Sequence, residues 1–590
     1  MKQGNLKIEN VKSNSTKKQD RVVSALLFTF LLLPSITGIF LAQDFANLEQ
    51  RLIYFLSSLL LYGFGLVMLR KQLFFYIASA TFLLSAIEIA HQVLNKATTS
   101  LLFLFTCIKS EKNEFWELFS YYWFILLTCL IIWTGYYYLN YRFVRNKYAF
   151  RRRYRYLLGG VIVLYFTGCI IALSVSPRLL QHDTADAHDA RTTALIGVEK
   201  VCPINMLLSS YHIVHLWNTI HRSQRELDSF SFGAQYTGSE DELVVMVVGE
   251  TSRYDHWQLN GYSRETSPYL MQRADQWVSF DSCYTIGNLT TVCVPYIFSR
   301  ATPLDPHRYY REKSLPEAFQ EAGYETTWIA DQSFNNDFLM RIANACDQQT
   351  YISDNSGRDV LVDTVLLEPL SKTLSDSADR QLVVLHTLGC HFKYSSRYPD
   401  DYQYFTPDMK GIKIYELLRD ISLESDGSIR NTIANRALLN NLRQILVNSY
   451  DNAIRYTDYF MEQVVSRIEA TGRSAVVVYV GDHGENLLDD ERNMLLHGTY
   501  AGSLYEYHVP LFVWMSDAYK QRHPDKWDAL RNNRRKMVST MNLFYSVLDF
   551  GSVTMPDFRT EDCIASPELT PVPKIYVLDA NLKLSIVSAK

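Results

Sequence analysis

Apolar positions fall in two patterns along this chain, and the pattern changes near residue 175. Before that point come long, nearly unbroken apolar tracts at about Val22–Ala42, Leu52–Leu69, Leu73–Ile89, Tyr121–Leu139 and Tyr156–Val175. Each is close to the roughly 20 residues that a helix needs to cross a bilayer. Beyond it the apolar runs are short, Val-rich and bounded by Gly, as in Leu243–Val248 and Ala475–Val480. Such runs suit buried central strands of a parallel sheet. Further strands are predicted near Thr326–Ala330, Leu382–His386 and Pro510–Trp514, with a long helical stretch over about Asn431–Ala470. This alternation predicts a doubly wound α/β domain.

At 590 residues the chain exceeds one ordinary domain. The expected division is a five-helix membrane domain over 1–175, a linker with bridging helices over 176–242, and an α/β domain over 243–590. Basic residues precede the first tract, so a cleavable signal peptide is the alternative for that tract, but four further tracts follow. Lys and Arg cluster before the first tract, at Arg70 and Lys71, and between Arg142 and Arg155. With alternating spans these clusters share one face, the cytoplasmic one. An odd number of spans then exports everything after Val175, to the periplasm of a Gram-negative cell. A formal net charge of -4 argues against a nucleic-acid partner.

Six cysteines, Cys202, Cys283, Cys293, Cys346, Cys390 and Cys563, fall in the exported part, where disulfides are permitted. Cys283 and Cys293 are near in sequence; a disulfide and two buried thiols are both open. In the third tract Glu88 and His91 lie near the outer end, where an ionisable group is a functional candidate and interfacial solvation is the plainer account. Thr106, Ser110 and Glu114 would stack on one helix face at i, i+4 and i+8, as a solvated face or a headgroup contact. His182, His188 and His212 show no metal spacing.

The chemistry gathers where the strands end. Leu243–Val248 gives way to Gly249-Glu250-Thr251, and Ala475–Val480 to Gly481-Asp482-His483-Gly484-Glu485-Asn486. Open α/β sheets hold their sites beyond the carboxyl ends of their strands. Two carboxylates, an imidazole and the hydroxyl of Thr290 form a donor set for one zinc ion. A hydroxyl is a poor nucleophile until a base or a metal activates it, so Thr290 is the candidate nucleophile. Glu250 alone reads as a capping carboxylate and Thr290 alone as a turn residue; their conjunction favours a site.

The run Val248-Gly249-Glu250-Thr251-Ser252-Arg253-Tyr254-Asp255-His256, then Leu259-Asn260-Gly261-Tyr262-Ser263-Arg264-Glu265-Thr266-Ser267-Pro268, resembles the signature of the phosphoethanolamine transferases. So do Asn448-Ser449-Tyr450-Asp451-Asn452, Gly481–Asn486, Leu496-His497-Gly498-Thr499 and His508-Val509-Pro510. These are inner-membrane enzymes of the alkaline phosphatase and sulfatase superfamily, among them lipid A modifiers that confer polymyxin resistance. Five spans before a periplasmic sulfatase-like domain is that family's layout.

The resemblance implies zinc on Glu250, Thr290, Asp482 and His483, with Thr290 as nucleophile because the family's threonine lies five residues before its proline, here Pro295. It implies substrate contacts for His391, His497, Gln332 and Ser333. It also aligns Thr106, Ser110 and Glu114 with a stripe that binds the lipid substrate. Whether a second zinc joins in turnover stays open. The implied donor is phosphatidylethanolamine and the implied acceptor is lipid A, lipopolysaccharide core or another lipid-linked glycan; a monomer is expected. The chain departs from many lipid A modifiers in Cys283–Thr290, at Tyr296, and at Asn335 and Asn336, where a lysine is usual. These departures surround the substrate pocket and leave the acceptor open.

Two rivals remain on the same scaffold, a phosphoglycerol transferase and a sulfatase. Sulfatases usually carry Cys/Ser-x-Pro-x-Arg, and Cys293-Val294-Pro295-Tyr296-Ile297 has no Arg at that place. A non-catalytic membrane scaffold is the rival of another class, and it would hold no zinc.

Overall fold

A computed structural model describes residues 2–42, 45, 48–95, 98–100, 104, 112–179, 200–239, 241–331, 337–352, 362–376, 378–412, 433–490, 492–498, 502–578, 582 and 584–588. The chain divides into two compact units, one of residues 1–215 with 423–428 and one of residues 216–422 with 429–590. The division falls inside the helix Ile204–Ser229.

The first unit is helical: Lys2–Leu31, Leu33–Leu41, Leu48–Met68, Lys71–Ser79, Phe82–Asn95, Lys112–Phe143 and Arg152–Leu179. Two of the predicted tracts are bent. The first turns by 47° between Thr16–Leu31 and Leu33–Leu41, where Pro34 removes a backbone donor. The third turns by 55° between Lys71–Ser79 and Phe82–Gln92. Among the described residues one helix, Leu48–Met68, is long and apolar enough to cross a membrane by itself, or up to three if each bent pair is one span.

Glu88 is fully buried in this unit rather than solvated. Its carboxylate accepts hydrogen bonds from Gln92 Nε2 (2.9 Å), Asn205 Nδ2 (2.8 Å) and the Thr99 hydroxyl. His91 is buried too. Interfacial solvation therefore does not describe either residue, because a bundle interior supplied enough polar partners to enclose the carboxylate. Thr106 and Ser110, like His182 and His188, lie outside the described residues. Glu114 falls in the helix Lys112–Phe143, and its side chain lies outside them too.

The second unit is built on a seven-stranded sheet. Its strands are β1 (Leu243–Gly249), β2 (Trp277–Ser279), β3 (Glu325–Ala330), β4 (Gln348–Tyr351), β5 (Gln381–His386), β6 (Ala475–Gly481) and β7 (Leu511–Met515). The spatial order is β2-β7-β6-β1-β5-β3-β4. β1 runs parallel to β5 and β6, and β3 parallel to β4 and β5. β7 is antiparallel to both neighbours. The sheet is thus mixed: β6, β1, β5, β3 and β4 form a parallel block that ends at the β4 edge, and the antiparallel pairings lie on the β7 side.

Every residue of β1, β5 and β6 is buried, which is why these strands read as unbroken Val-rich runs instead of alternating ones. The helix Ile433–Glu469 covers one face, contributing Leu446, Ile454, Phe460 and Val464 to the core. The edge strands β2 and β4 escaped the sequence reading because they are short, and β4 is largely exposed.

Candidate active site

The site starts from a register. Gly249 and Gly481 are direct partners across β1 and β6, so the residues that follow, Glu250 and Asp482, leave the sheet side by side. Both positions require glycine for lack of space. A Cβ at Gly249 would lie 2.3 Å from the Tyr479 hydroxyl, and one at Gly481 would lie 2.9 Å from the Ser252 carbonyl oxygen. The Asp482 backbone N–H donates to the Gly249 carbonyl (2.9 Å), and the Thr251 N–H donates to Asp482 Oδ1 (2.9 Å). Thr251 adopts a left-handed φ of 55°, and its hydroxyl donates to Glu250 Oε1 (2.8 Å).

Thr290 is the first residue of the helix Thr290–Ile297. Its Oγ1 lies 3.0 Å from each Glu250 carboxylate oxygen and 3.2 Å from His483 Nε2. Thr291 Oγ1, one residue on, is buried and makes no hydrogen bond. His483 Nε2 stands 3.5 Å from Glu250 Oε1 and 3.5 Å from Asp482 Oδ2. The ligand atoms of Glu250, Asp482 and His483 all lie within 4.8 Å of one another, and all three residues are buried. The four residues singled out in the sequence are therefore brought together from three separate segments.

This donor set fits a cation. His483 Nδ1 sits 2.9 Å from the Gly484 carbonyl, which makes Nδ1 the donor and turns the Nε2 lone pair toward Glu250, Asp482 and Thr290. Asp482 Oδ2 is buried without a hydrogen-bond donor, an arrangement that costs free energy unless positive charge is nearby. Burial would raise the Glu250 carboxyl, but the imidazoles of His483, His391, His497 and His386 outweigh it and hold it well below the usual range. Burial and the Glu250 charge push Asp482 up. His483 is drawn down by burial and more strongly up by Asp482 and Glu250. Two oxyanions and an imidazole so placed can share a single zinc ion.

His391 and His497 stand beside this cluster, with ring centroids 5.7 Å apart and His497 4.4 Å from His483. His391 Nδ1 is fixed by the Phe392 carbonyl at 2.6 Å. Gln332 and Ser333 lie outside the described residues. Sequence reasoning passed over Glu485, whose Oε2 is 3.3 Å from His497 Nδ1 while Oε1 is buried without a donor. Burial pushes its carboxyl up to about 8. Its place in the Gly481–Asn486 run was visible in the sequence, but not that its side chain turns inward. His386 was likewise read as a strand residue; burial lowers it to about 4. Cys283 and Cys293 are both free and buried. Cys283 lies in the short strand Cys283–Tyr284 and Cys293 in the helix Thr290–Ile297, and of the two alternatives the buried thiols are what is found.

Arg253 holds the two strand exits together. It is buried, with Nη2 2.6 Å from Asp255 Oδ2, Nη1 2.9 Å from Asp489 Oδ2 and 3.2 Å from the Glu485 carbonyl, and its guanidinium 4.5 Å over the Tyr505 ring.

The fold and this donor set define an α/β protein with a buried cluster that could hold a metal ion beyond the ends of its central strands. The sulfatase family profile matches residues 242–553, more than half of the chain, and the chain belongs to that family. The relatives found are phosphoethanolamine transferases, as the sequence motifs indicated. Phosphoethanolamine transferase EptC of Escherichia coli O18:K1:H7 is 25% identical over 392 residues, covering 63% of this chain and 62% of the relative. The Kdo(2)-lipid A phosphoethanolamine 7''-transferase of Escherichia coli K12 is 29% identical over 289 residues, covering 48% and 45%. The chain thus spans about half to three-fifths of the length of these relatives.

Among solved structures, the integral membrane lipooligosaccharide phosphoethanolamine transferase A of Neisseria meningitidis superimposes with a TM-score of 0.67 at 23% identity, covering 91% of this chain and 98% of that one. The periplasmic domain of EptC from Escherichia coli, in complex with Zn, gives a TM-score of 0.51 at 22% identity, covering 60% and 94%. These likenesses support a helical N-terminal region followed by an α/β domain.

Proposed function

We propose that this chain is an inner-membrane phosphoethanolamine transferase that takes its group from phosphatidylethanolamine and passes it, through Thr290, to a lipid A or related envelope glycan. Five membrane spans over 1–175 place 243–590 in the periplasm in this reading, with 176–242 between them. The protein acts as a monomer. One observation carries it: Thr290 Oγ1 lies 3.0 Å from both oxygens of Glu250 and 3.2 Å from His483 Nε2. The named relatives, which transfer phosphoethanolamine, support the choice of group.

Glu250, Thr290, Asp482 and His483 would hold zinc, which when bound supplies a Lewis acid that activates the hydroxyl and offsets negative charge on phosphorus. In the first half-reaction a bond forms between Thr290 Oγ1 and phosphorus while the bond from phosphorus to the glycerol oxygen breaks. The Thr290 proton has an acceptor in Glu250. The departing diacylglycerol oxygen takes its proton from His391 or His497. In the second half-reaction the acceptor hydroxyl gives its proton back to that histidine as its oxygen displaces Thr290 from phosphorus, and Thr290 recovers its proton from Glu250. Both substrates being lipids, a membrane-tethered site lowers the entropic cost of bringing them together.

The test is incubation of the full-length chain with fluorescent phosphatidylethanolamine in vesicles, followed by intact mass measurement. Release of diacylglycerol with a phosphoethanolamine adduct on Thr290 is expected. An equal rate from the Thr290→Ala variant would overturn the mechanism.

A further inference from the structure

The hairpin between the helices Lys112–Phe143 and Arg152–Leu179 is the most positively charged part of the molecule, and the transfer chemistry does not use it. Seven Lys or Arg fall between Arg142 and Arg155, and no Asp or Glu occurs anywhere between Glu117 and Asp183. Arg151, Arg152 and Arg153 are exposed, and none of them forms an ion pair among the described residues.

The hairpin is held in place rather than loose. The Lys71 N–H donates to the Lys147 carbonyl at 2.9 Å, and Arg70 and Tyr148 form an isolated antiparallel bridge. The Tyr148 ring is flanked by two guanidinium groups, that of Arg155 at 3.6 Å and that of Arg70 at 5.9 Å from its centroid. Arg155 donates through Nη2 to the Met68 carbonyl (3.2 Å), and its Nε is buried with no hydrogen-bond partner. An N–H so placed is costly unless an acceptor occupies the space beside it.

We propose that Arg70, Tyr148 and Arg155, together with Arg151, Arg152 and Arg153, form a binding site for the phosphodiester headgroup of an anionic phospholipid. A planar guanidinium matches phosphate oxygens and stays charged at any physiological pH. Basic clusters next to a membrane-spanning helix bind anionic lipids, and aromatic side chains sit at headgroup level. Tyr141 and Tyr156, at either end of the hairpin, are 69% and 56% exposed. The ring and cation pairing suits a surface where hydrocarbon meets phosphate. In the topology proposed above the hairpin is cytoplasmic, whereas the donor lipid is consumed in the periplasm, so the lipid held here is bound and not consumed. The inference rests on the membrane-spanning reading given above.

The experiment uses the full-length chain, delipidated in neutral detergent, with an equimolar mixture of phosphatidylglycerol and phosphatidylcholine, read by native mass spectrometry. Phosphatidylglycerol adducts should exceed phosphatidylcholine adducts by about fivefold or more. The Arg151→Gln/Arg152→Gln/Arg153→Gln variant and, separately, Arg155→Gln should each bring the ratio toward one. Arg155→Lys, which keeps the charge, should retain part of the preference and serves if Arg155→Gln fails to fold. Equal occupancy by the two lipids, or an unchanged ratio in the glutamine variants, overturns the proposal. Loss of the adduct in millimolar inorganic phosphate overturns it too, since the site then takes free anions. Reconstitution in phosphatidylcholine nanodiscs separates this from the reading it rests on: a chain that does not incorporate refutes the membrane placement, whereas one that incorporates without preferring phosphatidylglycerol refutes the headgroup site alone.

Discussion

Gly249 and Gly481 face each other in the same register on parallel neighbouring strands, and that one pairing sets Glu250 beside Asp482. A methyl group at Gly481 would press on the Ser252 carbonyl and on Pro510 Cδ at 3.1 Å. Gly481→Ala is expected to cost about 1–3 kcal/mol and to spread the two carboxylates. Zinc content and urea midpoint of the purified variant check this; full zinc at wild-type stability would show that the close approach is not needed.

Thr290 is expected to be irreplaceable by Ala and partly replaceable by Ser. Thr290→Ala should lower transfer by at least ~10³-fold, as expected for loss of a nucleophile, while Thr290→Ser keeps an oxygen near Glu250. Initial rates of diacylglycerol release decide it. Comparable rates for the Ala and Ser variants would remove Thr290 from the chemistry.

Chelation should destabilise the protein through the cluster of Glu250, Asp482 and His483. An ion bound only by the folded state stabilises it by about 4 kcal/mol at a thousand times its Kd. The thermal midpoint should therefore fall on adding a chelator and return with zinc. In Glu250→Gln the chelator should move the midpoint far less. If that variant shifted as much as the wild type, the ion would be elsewhere.

Arg253 is buried between Asp255 and Asp489. Removing one partner of a buried ion pair typically costs about 3–5 kcal/mol, and here Asp489 would keep its charge in a nearly closed setting. Arg253→Met should lower the unfolding free energy by about that much in denaturant titration. A loss below ~1 kcal/mol would mean the clamp is mostly solvated.

His508 is stacked between Tyr254 and Tyr284, with centroid distances of 4.0 and 4.8 Å, and its Nε2 donates to the Asp281 carbonyl at 3.1 Å. Burial lowers its pKa, against the raising effects of the Asp281 carbonyl and the Asp255 charge. Below about pH 6.5 the unfolded chain binds a proton that the folded chain refuses. The stabilising contribution is thus complete above that pH and is lost as pH falls through the folded-state value. Urea midpoints at descending pH should drop less steeply for His508→Gln than for the wild type; parallel curves would assign the acid sensitivity to other groups.

The local elements and the chemical alphabet of the site are legible along the chain. Short unbroken runs bounded by Gly, such as Leu243–Val248 and Ala475–Val480, suit strands buried on both faces. Their endings, Gly249-Glu250 and Gly481-Asp482-His483, marked where ligands would leave the sheet. The helix predicted over Asn431–Ala470 is found at Ile433–Glu469, since a long periodic stretch has few other solutions.

Adjacency comes from folding alone. The pairing of β1 with β6, and its register, joins residues more than two hundred positions apart, such as Leu243 and Ala475, and no local pattern encodes it. That pairing, and not composition, puts Thr290 within 3.0 Å of Glu250, turns Glu485 inward and leaves Cys283 and Cys293 unjoined. The antiparallel course of β7 and the enclosure of Glu88 arose the same way. A side chain's partners are set by the packing of whole elements, and packing is a property of the folded chain.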